Sequence, residues 1–273
     1  DVMTIKIKEI RASSIITKSN LPDADYVINP YVGCTHSCIY CYARFMKRFT
    51  GHAEEWGEFV DVKINAPDLI PADTLKYKGK SIFLSSVTDA YLPLERKYQL
   101  TRKILEKLIP LQPNLGVLTK SDLVLRDIDL LKQFKNCEVG FTITTLDDNL
   151  RKELEPFTSP VQNKIKALEK LKEAGIKTYV FVGPIMPFLT DWKKIILATK
   201  HCSDSYMLEN LNISGSIWNS VKNWLKEKHI GLLKDYENIY FSKNDYWDKV
   251  KEEIKKFCQE QKVDYEIYFH HGN

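Results

Sequence analysis

Six short runs rich in β-branched and aromatic residues alternate along this chain with amphipathic stretches of helical length, which leaves few architectures open to it. The runs span Tyr26 to Tyr31, Ser81 to Ser85, Leu115 to Thr119, Glu138 to Ile143, Lys177 to Val182 and Ser205 to Asn210. Strands separated by helices pair in parallel, so the pattern predicts an α/β fold of six βα units around one parallel sheet. A length of 273 residues, 44% of them hydrophobic, fits a single barrel-like domain over 1–273. One connecting helix is predicted over Val161 to Ala174. It has Val161, Ile165, Leu168 and Leu171 on one stripe, Gly175 as its cap, and Lys164, Lys166, Lys170 and Lys172 as its solvated face. Phe59 to Ile64 alternates as an extra strand inserted between the first two units.

The first strand is followed by Gly33-Cys-Thr-His-Ser-Cys-Ile-Tyr-Cys-Tyr42. Three thiolates at this spacing, Cys34, Cys38 and Cys41, can hold three irons of a [4Fe–4S] cluster and leave the fourth open to the amino and carboxylate groups of S-adenosylmethionine (SAM). A zinc site is the alternative, with His36 or His52 completing a Cys3His set. Zinc motifs usually separate their ligands into two pairs, which this loop does not. The other cysteines, Cys137, Cys202 and Cys258, stand alone. Together with the lack of a hydrophobic leader they point to a reducing cytoplasm, where they serve as buried thiols.

Parallel strands present their functional loops at their carboxyl ends. The second strand runs into Ser85-Ser86-Val87-Thr88-Asp89-Ala90-Tyr91 and the third into Thr119-Lys120-Ser121-Asp122. In the fourth, Thr142 and Thr144 share one face while Phe141 and Ile143 take the other. A hydroxylated inner face suggests a cavity for a polar ligand such as a ribose.

The cysteine spacing, with Tyr40 before its last member, resembles the radical SAM superfamily signature. The resemblance extends over residues 25–210. Asn29-Pro30-Tyr31-Val32-Gly33-Cys34, Thr88-Asp89-Ala90-Tyr91-Leu92-Pro93-Leu94-Glu95, Leu118-Thr119-Lys120-Ser121, Thr145-Leu146-Asp147, Leu154-Glu155-Pro156 and Gly183-Pro184-Ile185-Met186-Pro187 look like the spore photoproduct lyase-like family. Within that family the chain looks most like the radical SAM proteins found as pairs on mobile elements. The resemblance implies a partial (β/α)6 barrel over 25–210 with a mainly helical C-terminal extension over 211–273. Its cofactors would be a [4Fe–4S] cluster on Cys34, Cys38 and Cys41, and SAM.

It also implies roles for individual residues. Tyr40 would lie against the adenine, Thr88 and Asp89 would accept from the SAM ammonium, and Lys120 beside Ser121 would bind the SAM carboxylate. Thr142 stands where relatives carry a ribose-binding serine, with Thr144 on the same face. Arg151 and Glu155 would add cofactor contacts or pair with each other. Each has a plainer alternative: packing for Tyr40, a cap for Asp89, a solvated surface for Lys120. In spore photoproduct lyase a cysteine near the end of the second strand returns a hydrogen atom to the product. Here that stretch is Ser85-Ser86-Val87-Thr88, so that reaction is not expected, and Tyr91, Tyr42, Cys137 and Cys202 are the candidates for the donor.

The implied activity is reductive cleavage of SAM to a 5′-deoxyadenosyl radical and hydrogen abstraction from a nucleic-acid base in repair or modification, a lyase-like reaction. The rivals are modification of a peptide or small metabolite, and a non-catalytic iron–sulfur or zinc module. A reductant such as flavodoxin or ferredoxin and a second radical SAM protein are the implied partners. A net charge of +4 permits a polyanion without demanding one. Arg44, Lys47 and Arg48 follow the cysteine loop, and 243–256 mixes lysines with Tyr246 and Trp247, though interspersed acids make the second segment a solvated face. No apolar run reaches the ~20 residues that span a bilayer, so no membrane partner is expected. His270 and His271 read as a frayed end.

Overall fold

The computed structural model of the chain describes residues 5–72 and 75–269, so His270 and His271 lie outside the described residues. Its strands are β1 (Lys6–Ile10), β2 (Ile16–Lys18), β3 (Tyr26–Ile28), β4 (Tyr31–Val32), β5 (Phe59–Lys63), β6 (Ser81–Leu84), β7 (Asn114–Thr119), β8 (Cys137–Thr142), β9 (Lys177–Ile185), β10 (Ser205–Asn210) and β11 (Asp264–Tyr268). Among the described residues they form an eight-stranded sheet ordered β11-β10-β9-β8-β7-β6-β3-β2 and a small sheet ordered β1-β5-β4. From β3 through β11 every pairing in the large sheet is parallel, and β2 adds an antiparallel edge. This is the α/β architecture the alternation predicts. The two edges of the large sheet are bridged by a side chain: the Tyr268 hydroxyl donates to Asp23 Oδ2 at 3.0 Å. Helices cover the outer face, packing on Val139, Phe141, Val180, Val182 and Leu208, all fully buried.

Three expectations change in the structure. The first predicted strand, Tyr26 to Tyr31, is broken at Asn29-Pro30. β3 stays in the large sheet, whereas β4 crosses to pair antiparallel with β5, itself the inserted strand read from Phe59 to Ile64. Pro30 has no N–H to continue a ladder, and its carbonyl accepts from Lys63 N at 3.1 Å. The C-terminal extension is helical over Ile217–Lys228, Leu233–Phe241 and Tyr246–Gln261, but it returns to the sheet as β11, a seventh parallel strand beside β10. The return begins at Lys262, left-handed at φ 55°, with Val263 N bonded to Cys258 O at 3.1 Å, a left-handed helix stop. The helix Val161–Glu173 buries Val161, Ile165, Leu168 and Leu171 as expected, and Gly175 follows at φ 78°. Lys164, assigned to its solvated face, is instead 1% exposed.

The interior of the curved sheet is hollow. Strand residues of one parity, among them Phe83, Gly116, Thr142, Tyr179, Phe181, Met207 and Glu209, line a cavity of about 930 Å³. Glycine keeps it open: a Cβ on Gly140 would occupy the place of the Tyr179 ring, which lies against the β8 backbone and donates its hydroxyl to Val117 O at 3.2 Å.

Candidate active site

The cysteine loop leaves β4 at Gly33, whose φ of 90° and collision of any Cβ with the Phe59 carbonyl leave room for no other residue. Hydrogen bonds from several elements fix the loop. Thr88 Oγ1 donates to Gly33 O at 2.6 Å, Ser37 Oγ to Gly57 O at 3.3 Å, and Ile39 N to Leu154 O at 3.0 Å. Arg44 Nη2 reaches both Cys38 O and Ile39 O at 3.2 Å, so this guanidinium braces the loop rather than facing a polyanion. Cys34, Cys38 and Cys41 all line the cavity, and none is in a disulfide. Burial pushes the Cys34 thiol well up and that of Cys38 to about 12, so cationic metal in place of the protons is what would make them thiolates.

Neither histidine offered for a Cys3His zinc site is placed to complete one. His36 directs Nδ1 at Phe157 O and Nε2 at Asp89 Oδ2, both 3.1 Å away. His52 directs Nδ1 at Glu54 and Nε2 at Asp61, at 3.1 and 2.8 Å, and stacks on Phe59. Among the described residues no three metal-ligating side chains converge on one ion. A cluster makes a different demand, since it takes each thiolate on a different iron.

Beside the thiols the cavity offers a cation and unpaired hydroxyls. Lys120 Nζ lies 5.8 Å from the centre of the Tyr40 ring and has no carboxylate within 4.0 Å among the described residues. Burial works against its charge, but Cys38, Glu155 and Asp89 outweigh it and raise the ammonium above its usual value. Thr142 Oγ1 and Ser85 Oγ are buried on the cavity wall without a hydrogen-bond partner. Such orphaned groups usually mark the place of a ligand or ordered water. Cysteines for a cluster, a cation for a carboxylate and free hydroxyls for a ribose therefore fit a [4Fe–4S] cluster with SAM.

Of the other residues singled out in the sequence, Asp89 also lines the cavity, whereas Glu155, Thr144, Arg151 and Ser121 stand behind its wall. The Asp89 carboxylate accepts from Thr119 Oγ1 (2.7 Å), Tyr91 N (2.8 Å) and Lys120 N (2.9 Å), and faces His36. Burial would raise it, but His36 and these N–H groups hold it at about 2. With its oxygens so engaged it orients the loop, and it caps no helix. Glu155 is fully buried and accepts from Thr144 Oγ1 (2.6 Å), Lys164 Nζ (2.8 Å), Thr158 Oγ1 (3.2 Å) and the Tyr40 hydroxyl. Against its burial, Lys164 and Lys120 hold it at about 2. Glu155 and Thr144 thus anchor Tyr40, whose ring remains on the cavity wall. Arg151 does not pair with the Glu155 carboxylate: its Nε is 2.7 Å from Asp148 Oδ1, and its Nη1 reaches the carbonyls of Glu155 and Thr158 at 3.1 Å. Ser121 accepts from Leu123 N at 3.3 Å as a helix cap and does not line the cavity.

The candidate hydrogen donors separate. Tyr42 is 49% exposed at the cavity mouth, with its hydroxyl donating to Ser86 O. Tyr91 is fully buried off the cavity, 6.0 Å from the Arg126 guanidinium, because the turn closed by Asp89 Oδ1 and Tyr91 N aims it into the core. Cys137 lines the cavity at the amino end of β8, opposite the cysteine loop, and Cys202 is buried elsewhere. In 243–256 the aromatic residues are packed rather than displayed: Trp247 is 7% exposed and meets Tyr240 and Phe269. Sequence reasoning missed Lys164, which pairs with Glu155 behind the wall, and Glu209, which lines the cavity, and it gave Ser85, in the run after the second strand, no role of its own. The inward parity of β10 carried a signal for Glu209; nothing distinguished Lys164 from neighbouring lysines.

A model of the radical SAM superfamily matches residues 28–197. An uncharacterised protein of Methanocaldococcus jannaschii is 44% identical over 252 residues, covering 92% of this chain and 94% of its own. A radical SAM Nα-GlyT isomerase of Pseudomonas phage M6 is 27% identical over 160 residues, covering 58% of this chain and 32% of its own. Among solved structures, spore photoproduct lyase complexed with dinucleoside spore photoproduct superposes with a TM-score of 0.70 at 15% identity, over 96% of this chain and 82% of that one. Streptococcus suis SuiB bound to S-adenosylmethionine superposes with a TM-score of 0.57 at 14% identity, over 89% and 49%.

Proposed function

The chain belongs to the radical SAM superfamily and is an enzyme of that kind, and we propose that it acts on a base of a nucleic acid, in repair or modification. Cys34, Cys38 and Cys41 would hold the [4Fe–4S] cluster. When bound, the reduced cluster would supply one electron to the sulfonium of SAM, and breakage of its carbon–sulfur bond would give methionine and the 5′-deoxyadenosyl group that takes hydrogen from an unactivated carbon. The chain's own residues would position and enclose these groups. Lys120 would meet the SAM carboxylate as a point charge, and Thr142 and Ser85 would bond its hydroxyl groups. Tyr40, pinned through its hydroxyl by Glu155, would present its ring to the adenine. Thr88 and Asp89 would hold the loop, and hence the thiols, in place. Phe181, Met207 and the strand glycines would keep bulk water from the reacting atoms. Tyr42 would be the tyrosine placed to return hydrogen at the mouth.

The observation that carries this proposal is the cavity of about 930 Å³ in which three thiols, a half-buried ammonium and two unpartnered hydroxyls meet. That volume stands at the upper end of the range for one small ligand, leaving space for a base beside the cofactor. The choice of a base is supported by the dinucleoside held in the spore photoproduct lyase structure. A peptide is the rival, supported by the structure of SuiB bound to precursor peptide SuiA, TM-score 0.53. A flavodoxin or ferredoxin would deliver the electron, and a second radical SAM protein is the proposed partner. Anaerobic holoenzyme with SAM and reductant tests the substrate class. Faster 5′-deoxyadenosine formation with oligonucleotides than with peptides is expected; stimulation by peptides alone would overturn the proposal.

A further inference from the structure

The segment after the cysteine loop, Tyr42–Phe49, is a 3₁₀ helix of eight residues. Three residues per turn place every third side chain in one line, so this helix has three distinct faces. Ala43 and Met46 pack into the core beside Trp56 and Phe59. Arg44 and Lys47 are already engaged, the first by the loop carbonyls and the second by Glu55 at 2.9 Å. The third face holds Tyr42, Phe45 and Arg48, all exposed, and Phe49 adjoins it at 67% exposure. The Arg48 guanidinium lies 4.6 Å from the Phe49 ring centre and 5.6 Å from that of Phe45. At about 2.0 Å per residue the row is ~12 Å long, and its first member, Tyr42, lines the cavity.

Exposed aromatic rings cost free energy in water, and here they are concentrated around the mouth. Tyr42, Phe45, Phe49 and Phe188 follow carboxyl ends of strands, and Phe157 follows the helix after β8; away from them Phe241 is exposed at the end of the helix Leu233–Phe241, and the other exposed large hydrophobic residues among those described are isoleucine and leucine. Phe157 adjoins the cysteine loop through its carbonyl contact to His36. Phe188 is held left-handed at φ 66° in a turn where Met186 N donates to Thr190 Oγ1 at 2.9 Å and Tyr236 to Pro187 O at 2.9 Å. A bulky residue kept in that conformation and left 60% exposed marks a ring that the fold displays at a cost.

We propose that the Tyr42–Phe45–Arg48 row, with Phe49, is a stacking track that leads a single strand of nucleic acid to the cavity. Bases have two flat faces and stack on aromatic rings whatever their identity, while an arginine meets the backbone phosphates. Of the helix's three basic residues Arg48 is the one on this row, and the helix has no acidic residue, so the row sets one cation among flat rings, which suits a phosphate backbone carrying bases better than an apolar peptide. The track rests on the nucleic-acid function proposed above and adds the strand's form and path.

The test is equilibrium binding of a fluorescently labelled oligothymidylate of about ten nucleotides, within the usual footprint of such sites, to cluster-loaded enzyme across a salt series. Phe45→Ala and Phe49→Ala are each expected to weaken binding about tenfold, with Phe45→Trp restoring it. Arg48→Gln is expected to reduce the slope against log salt by about 0.7, the share of one phosphate on a single strand. Visible absorbance of the cluster and the melting temperature identify variants that retain their fold, and Phe49, the most exposed ring of the row, supplies a second variant if Phe45→Ala does not fold. Wild-type affinity and salt slope in all three substituted proteins would overturn the track while leaving the nucleic-acid function standing. If wild type binds neither this strand nor a duplex at low salt, the nucleic-acid function itself fails, and the track with it.

Discussion

Thr142→Val should make the SAM-free protein more stable and its binding of SAM weaker. The hydroxyl is on a residue 1% exposed and has no partner, a condition that costs about 1–3 kcal/mol for a buried polar group. Valine keeps the shape and removes the orphan. For 273 residues the unfolding entropy is about 0.6 kcal/mol/K, so each 1 kcal/mol moves the melting temperature by about 2 °C. The cluster-loaded, SAM-free variant should therefore melt ~2–5 °C higher than wild type. Its SAM affinity should fall about three- to tenfold, the equivalent of one neutral hydrogen bond of about 0.5–1.5 kcal/mol. Anaerobic thermal melts and calorimetric titration with SAM read the two effects on the same preparation. A variant that melts lower and binds SAM as wild type does would refute the assignment, because Thr142 would then be a packing residue.

Lys120→Met should weaken SAM at least about tenfold, as loss of a charge-assisted contact does, with little loss of fold; equilibrium dialysis reads this directly. Lys164→Met leaves the Glu155 carboxylate buried and unpaired and should destabilise by about 3–5 kcal/mol in urea unfolding, with Glu155→Gln in the same chain recovering part of it. Glu155 has its folded pKa lowered to about 2 from the usual 4.5. Its contribution is therefore fully present above pH 4.5 and lost as pH falls towards 2, a loss that acid unfolding of Glu155→Gln should lack. Gly33→Ala forces a Cβ against the Phe59 carbonyl at positive φ, so its iron and sulfide content after reconstitution should drop well below that of wild type.

Features of the fold that depend on period and composition were legible in the sequence. The six βα units, the inserted strand and the stripe of the 161–173 helix all follow from apolar spacing, which local chemistry records. The break at Asn29-Pro30 could have been read from the missing N–H. β11 could not be read as easily, since Asp264–Tyr268 is a five-residue edge strand whose partner, β10, is far away in sequence. The site shows the same division. Lys120 and Thr142 reach the cavity because each follows or ends a strand of the large sheet, and the cysteines and Tyr40 reach it on the loop that leaves β4 in the small sheet. Arg151 and Glu155 are four apart, but the helix ends at Leu154 and Glu155 has φ −139°, so the helical spacing rule does not reach it. Its partner is Lys164, from the next helix. Tyr91 was misplaced because the Asp89 turn aims its side chain, which no periodicity reveals.

Reconstitution with iron and sulfide without oxygen, followed by reductant and SAM, puts the three-cysteine assignment to its most direct trial, with 5′-deoxyadenosine measured for wild type and Cys38→Ala. Wild type should bind a four-iron cluster and release 5′-deoxyadenosine and methionine in equal amounts, and Cys38→Ala should release neither. Cleavage of SAM by Cys38→Ala at the wild-type rate, or a wild-type protein that takes up zinc and leaves SAM intact, would contradict the assignment of Cys34, Cys38 and Cys41.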